Sequence, residues 1–179
     1  MKVLILTDVQ NDFLSGGALG VKGGEEILPV ILRLIPRFPH VLATQDWHPH
    51  NHCSFGNPWP IHCVQDTWGA DFSPKLDRTK FAAIFHKGSD PNVESYSIFF
   101  DAKGQPATGI HEYLQTRKWR DLYFAGLTTD YCVFYSVLDA LKLGYRVTVI
   151  QDACRAIGDA KKALAHMKEK GAQLVRNLL

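Results

Sequence analysis

Residues 46–62 read Asp-Trp-His-Pro-His-Asn-His-Cys-Ser-Phe-Gly-Asn-Pro-Trp-Pro-Ile-His. Four histidines and a carboxylate crowd one short stretch that follows neither a helical nor a strand period. Such a stretch is poor at building a core, and its most economical use is to hold a metal. Asp46, His48 and His52 offer one oxygen and two imidazole nitrogens, and His62 returns a third imidazole after a Pro-rich excursion. This donor set is intermediate in softness. It suits zinc first, with iron or manganese as alternatives, and calcium or magnesium poorly. The rival reading, a His-rich surface loop without a metal, would suit a lone histidine better than Asp-x-His-x3-His with a fourth donor nearby.

A second group of residues could do covalent chemistry. Gly126-Leu-Thr-Thr-Asp-Tyr-Cys132 links a predicted strand to a strongly periodic helix. Thr129 or Asp130 is the expected N-cap, which places Cys132 in the first helical turn. There the helix dipole and free amide protons favour a thiolate and lower the thiol pKa from about 8.5. The same amides could donate to an oxyanion formed when the sulfur attacks a carbonyl. Position alone also fits a cysteine that merely packs under the helix. Asp8 and Lys87 strengthen the nucleophile reading, because a lysine stabilises a thiolate and an aspartate carries its proton. Asp8 with Asp12 could instead bind magnesium or serve a phosphatase, but no Gly-x4-Gly-Lys-Ser/Thr cradle accompanies them.

The elements that position these groups follow from periodicity. Val3–Thr7, Val41–Thr44, Phe81–Phe85, Asp121–Ala125, Arg146–Ile150 and Ala172–Val175 read as strands. Glu25–Phe38, Ile110–Thr116, Val133–Leu143 and Asp159–Lys170 read as helices, with Gly144 and Gly171 placed to end the last two. Trp47–Lys80 keeps no period, and a loop of that length in a compact domain is usually functional. Strands alternating with helices predict one doubly wound α/β domain over residues 1–179. Its sheet has six mostly parallel strands and helices on both faces. In such sheets the ligand crevice lies beyond the carboxyl ends of the strands. Asp8, Asp46, Lys87 and the segment leading to Cys132 all follow predicted strand ends and converge on that rim.

Composition excludes other classes. The formal net charge is +2 and the basic residues are scattered, which argues against nucleic acid and anionic membranes as partners. No apolar run is long enough to span a bilayer. The N-terminal apolar run is short, ends in an acid and lacks a cleavage site. Cys53, Cys63, Cys132 and Cys154 form no Cys-x2-Cys pair, so free thiols are expected. These features predict a soluble cytoplasmic protein, with assembly into a homo-oligomer left open.

Five segments, in this order, resemble one family. They are Asp-Val-Gln-Asn-Asp-Phe at 8–13, Asp-Trp-His-Pro-x-x-His at 46–52, Trp-Pro-x-His-Cys-Val at 59–64, Lys-Gly at 87–88, and Gly-Leu-Thr-Thr-Asp-Tyr-Cys-Val at 126–133. Together they resemble the nicotinamidases (pyrazinamidases) of the isochorismatase-like hydrolase superfamily, over nearly the whole chain. The resemblance implies a triad of Asp8, Lys87 and Cys132, and ligation of one divalent transition metal by Asp46, His48, His52 and His62. It implies an oxyanion hole from the amides of Thr128 and Cys132 and a cis peptide at Leu127–Thr128. Phe13, Trp59 and Tyr96 match aromatic positions lining the substrate ring. His50 matches no ligand position. One departure stands out: many relatives have glycine in the segment Tyr96-Ser-Ile-Phe, where this chain has Ile98, which adds bulk and removes backbone freedom.

The implied activity is hydrolysis of nicotinamide to nicotinate and ammonia through a cysteine thioester, with pyrazinamide as a further substrate, in pyridine-nucleotide salvage. The metal serves as a template for the ring. Isochorismatases and carbamoyl or ureido amidases of the same superfamily are the alternative among hydrolases, and the Asp/His cluster argues against them. A non-catalytic metal-binding module is the alternative outside enzymes, and it has no use for an activated thiol.

Overall fold

The computed structural model describes residues 1–178. Its sheet has six parallel strands: β1 (Lys2–Thr7), β2 (His40–Asp46), β3 (Ala83–Lys87), β4 (Asp121–Leu127), β5 (Arg146–Arg155) and β6 (Gln173–Val175). Their spatial order is β3-β2-β1-β4-β5-β6. The order reverses between β1 and β4, and the loops that leave this switch point diverge and open a crevice. Asp8 follows β1 and Cys132 opens the helix after β4, so two of the expected reactive groups emerge on either side of that crevice.

Alternation along β1 sets the two cores. Leu4 and Leu6 pack against α1 (Ile27–Leu34) through Ile27, Leu28, Ile31 and Leu34. Val3 and Ile5 face α2 (Ile110–Thr116), α3 (Cys132–Lys142) and α4 (Ala160–Glu169) through Ile110, Leu114, Val133, Val137 and Met167. Burying each such side chain is worth about 1.5–3 kcal/mol. The scaffold under the site is therefore rigid on both faces.

Several boundaries differ from the sequence expectation. The segment expected as one helix over 25–38 is α1 flanked by 3-10 turns at Gly24–Glu26 and Ile35–Arg37. Pro36 brings no amide proton with which to continue the α pattern. Strand β3 begins two residues later than expected and runs through Lys87, whose charge hides a fully buried strand position. Strand β5 continues past Ile150 through polar Gln151 and Asp152 to Arg155, with a register irregularity opposite Phe124–Gly126. Between Trp47 and Lys80 the only regular element is a 3-10 turn at Arg78–Lys80, as the lost period implied. No helix among the described residues is long and apolar enough to cross a membrane.

Candidate active site

The reactive groups meet because strand ends place them side by side. Asp46 and Lys87 are register partners at the ends of β2 and β3. Asp8 leaves β1 in the left-handed region, at φ 48°, a conformation that aspartate tolerates better than most residues. Its amide donates to the Thr44 carbonyl at 3.2 Å and its Oδ1 accepts from the Thr44 hydroxyl at 2.6 Å. The other carboxylate oxygen lies 3.0 Å from Lys87 Nζ. That nitrogen also pairs with Asp46 Oδ1, donates to the Ser95 carbonyl at 3.3 Å and reaches Cys132 Sγ at 3.5 Å. Asp8 and Lys87 have no solvent exposure, and Cys132 is buried.

Electrostatics inside this cluster departs from the expectation at the thiol. Burial pushes the Cys132 thiol well up; Lys87 opposes it, and the carboxylates of Asp8 and Asp46 reinforce it. The expected lowering by the helix terminus does not carry the balance, because a helix dipole is a smaller influence than full desolvation beside two acids. Burial also raises Asp8, against the pull of Lys87. For Lys87, burial disfavours the ammonium, but Asp46 and Asp8 hold it charged, well above the ordinary lysine value. Burial thus favours the neutral thiol at Cys132, while Lys87 favours the ionised carboxylate beside it.

The glycines of the two motifs are required by contact. A Cβ on Gly88 would lie 2.5 Å from Cε1 of His48, and one on Gly126 would lie 2.0 Å from the Thr7 carbonyl oxygen. The Leu127–Thr128 peptide is cis, as the resemblance implied. The residue before α3 is Tyr131, which makes no capping bond. Cys132 is thus the first helical residue, and neither Thr129 nor Asp130 is the cap. Asp130 instead accepts from the amides of Ile157 and Gly158 at 3.2 and 2.6 Å, closing the neighbouring wall. Among the described residues, the amides of Thr128 and Cys132 have no acceptor.

Asp46, His48 and His62 form a compact buried set whose ligand atoms lie within 4.8 Å of one another. His48 Nδ1 donates to the Gly88 carbonyl at 2.9 Å, and His62 Nδ1 donates to the Pro60 carbonyl at 2.8 Å. These bonds turn the Nε2 lone pairs toward Asp46 Oδ2, at 3.8 and 4.0 Å. Those separations are too long for hydrogen bonds. Two lone pairs facing one carboxylate oxygen, each ring held from behind by a carbonyl, is the arrangement a zinc-type ion needs. Burial lowers His48 and so favours the neutral ring that binds metal. His52 lies outside this set. It stacks on His48 at 4.1 Å, meets Ser54 and Val93, and forms a second set with His48 and Glu94. His50 is exposed.

A narrow cleft opens on Cys132 and the Asp/His set. Phe13, Trp59 and Tyr96 all line it, together with Leu19, Glu94 and Tyr131. Trp59 Nε1 donates to the Tyr96 hydroxyl at 3.0 Å, and Tyr131 packs against both rings. Ile98 does not line it; the side chain is buried in the core under α3, and its amide donates to the Ser136 hydroxyl. Sequence reasoning missed Tyr131, Glu94 and Gln10. Gln10 donates to the Asp46 carbonyl at 2.8 Å and accepts from the Asp46 amide at 2.9 Å, clamping that backbone. Its place in the Asp-Val-Gln-Asn-Asp-Phe segment was the available signal.

A sequence profile of the isochorismatase domain matches residues 2–177. A nicotinamidase of Escherichia coli is 42% identical, over 97% of this chain and 93% of its own. An L. infantum protein solved in complex with nicotinate superposes with a TM-score of 0.94 at 38% identity, covering 98% of this chain and 92% of its own. A pyrazinamidase of Pyrococcus horikoshii solved with zinc superposes at 0.88 with 39% identity, covering 98% of both chains.

Proposed function

The chain belongs to the isochorismatase-domain family, and on that premise we propose that it is a nicotinamidase, hydrolysing nicotinamide to nicotinate and ammonia and also accepting pyrazinamide. The observation that carries the reading is Lys87 Nζ, which touches Asp8, Asp46 and Cys132 at once and so joins a thiol–carboxylate pair to the Asp/His set.

The reaction runs through groups already in contact. Asp8 takes the thiol proton as Sγ attacks the carboxamide carbon, and the carbonyl π pair moves to oxygen. The amides of Thr128 and Cys132 donate to that oxyanion; such donors are worth about 10²–10³ in rate each. Asp8 returns the proton to the departing nitrogen, which leaves as ammonia, and a thioester remains. Asp8 then deprotonates water, which attacks the thioester carbon; the C–S bond breaks and the sulfur recovers its proton. Lys87 stays an ammonium throughout and offsets the negative charge that moves between Asp8 and Cys132. Phe13, Trp59 and Tyr96 sandwich the ring and keep water from its faces.

Asp46, His48 and His62 would hold a divalent metal, zinc first; His52, which the resemblance implies as a fourth ligand, stacks on His48 outside this set and faces Glu94. A metal there would supply a Lewis-acidic site for the ring nitrogen, and a ring so anchored would present its carboxamide to Cys132. We place the enzyme, as a single domain over residues 1–179, in the cytoplasm and in pyridine-nucleotide salvage. Its four free cysteines suit a reducing compartment. No nucleic-acid or membrane partner enters the proposal, and assembly into a homo-oligomer is compatible with it.

The test is ammonia release from nicotinamide, pyrazinamide, benzamide and a ureido substrate. Nicotinamide and pyrazinamide should turn over, and benzamide, lacking the ring nitrogen, should fall behind by about a thousandfold or more in kcat/KM, as expected where a buried polar contact is lost. Equal turnover of benzamide, or preference for the ureido compound, would overturn the reading.

A further inference from the structure

The hydroxyl of Thr128 has no hydrogen-bond partner, although the oxygen is buried and the residue is 1% exposed. A buried hydroxyl without a partner is costly, and natural proteins rarely leave one so without a reason. The hydroxyls of Thr7 and Thr129 share this condition, but only Thr128 also lines the cleft with Cys132. The backbone at Thr128 is held firmly. Its carbonyl accepts from the amides of Tyr131 and Val133 at 3.2 and 3.1 Å. Two residues earlier, Gly126 backs so closely onto Thr7 that no side chain fits between them. Thr44, by contrast, spends its hydroxyl on Asp8 at 2.6 Å. A threonine hydroxyl is both donor and acceptor, and the free Thr128 amide lies on the same residue, three bonds from that oxygen.

We propose that the Thr128 hydroxyl is a catalytic donor of this site: it donates to the carboxamide oxygen of the substrate as that oxygen becomes an oxyanion, as a third donor beside the amides of Thr128 and Cys132. This rests on the amidohydrolase reading above and adds a side chain to its oxyanion hole. The donor is matched to the tetrahedral oxygen, so its removal lowers kcat with little effect on KM. It also acts on any oxygen formed by addition of Cys132 to a carbonyl. Nicotinaldehyde provides such an oxygen without turnover: the S–H adds across C=O, a C–S bond forms, the carbonyl π bond breaks, the proton ends on oxygen, and nothing leaves.

The experiment compares Thr128→Val, which keeps the shape, with Thr128→Ser, which keeps the hydroxyl. Both are measured by steady-state kinetics on nicotinamide and by nicotinaldehyde inhibition. Thr128→Val should lose about a hundredfold in kcat, the scale of one oxyanion donor, and lose nicotinaldehyde affinity in parallel, at unchanged metal content. Thr128→Ser should retain most of both. A Thr128→Val enzyme with wild-type kcat and aldehyde affinity overturns the proposal, and so does a Thr128→Ser enzyme as impaired as Thr128→Val. If the native protein releases no ammonia from nicotinamide, the reaction assignment fails separately, and the aldehyde arm still decides the role of the hydroxyl.

Discussion

Lys87 Nζ stands 3.5 Å from Cys132 Sγ while also lying 3.0 Å from Asp8 Oδ2 and pairing with Asp46. One buried cation therefore serves two carboxylates and a thiol. Removing it leaves two acids unpaired in the interior, and breaking a buried ion pair in this way costs about 3–5 kcal/mol. Lys87→Met should lower the melting temperature and abolish turnover together. Wild-type stability and activity in that variant would contradict the central place given to Lys87.

The raised Asp8 predicts the acid limb of the pH profile. Only ionised Asp8 accepts the thiol proton, so activity rises with pH through the Asp8 pKa. Because burial raises that pKa from 3.8, the acid midpoint of kcat/KM should lie above the ordinary carboxylate value. Asp8→Asn should lose this limb and at least about a hundredfold in rate. An acid midpoint at or below the ordinary value, or near-normal turnover of Asp8→Asn, would remove Asp8 from the role.

Thiol labelling should separate exposure from reactivity. Cys53 is exposed, whereas Cys132 is buried and burial raises its thiol pKa. A bulky maleimide at neutral pH should modify Cys53 first and leave turnover intact. Cys132→Ala should be inactive. Peptide mapping that finds Cys132 modified ahead of Cys53 would mean the thiol is more open and more acidic than its surroundings here dictate.

Metal removal should silence the enzyme without unfolding it. The Asp46, His48 and His62 cluster sits on the rim, and neither hydrophobic core includes those residues. Chelation should therefore remove activity while far-UV circular dichroism stays native. Elemental analysis should find about one metal per chain, as expected of a single Asp/His site. Full activity in strong chelator, or loss of the fold, would count against this division of labour.

Gly126 tolerates no side chain. Its φ is 125°, and an added Cβ would meet backbone atoms of Thr7 that cannot yield. Gly126→Ala should destabilise by clearly more than about 1 kcal/mol, the range of compatible glycine replacements. Urea denaturation measures this directly, and an unchanged midpoint would refute the close approach of β1 and β4.

The amino-acid order by itself determined the elements and the donor types. Alternation of apolar residues is a local signal, so the strands, Ile110–Thr116 and the α/β class were legible. The unperiodic Asp46–His62 segment and the cysteine in the first turn of a strong helix were legible for the same reason. Tertiary structure decided what those groups feel. Asp8, Asp46, Lys87 and Cys132 are far apart in sequence and meet only through the register of parallel strands. The thiol pKa moves up rather than down because desolvation and Coulomb interactions sum over groups from several elements, which no single segment encodes. The same holds for Tyr131 closing the aromatic wall and for His52 turning toward Glu94. A side chain's partners depend on which segments the sheet brings together, whereas its chemistry and local period are written in the chain itself.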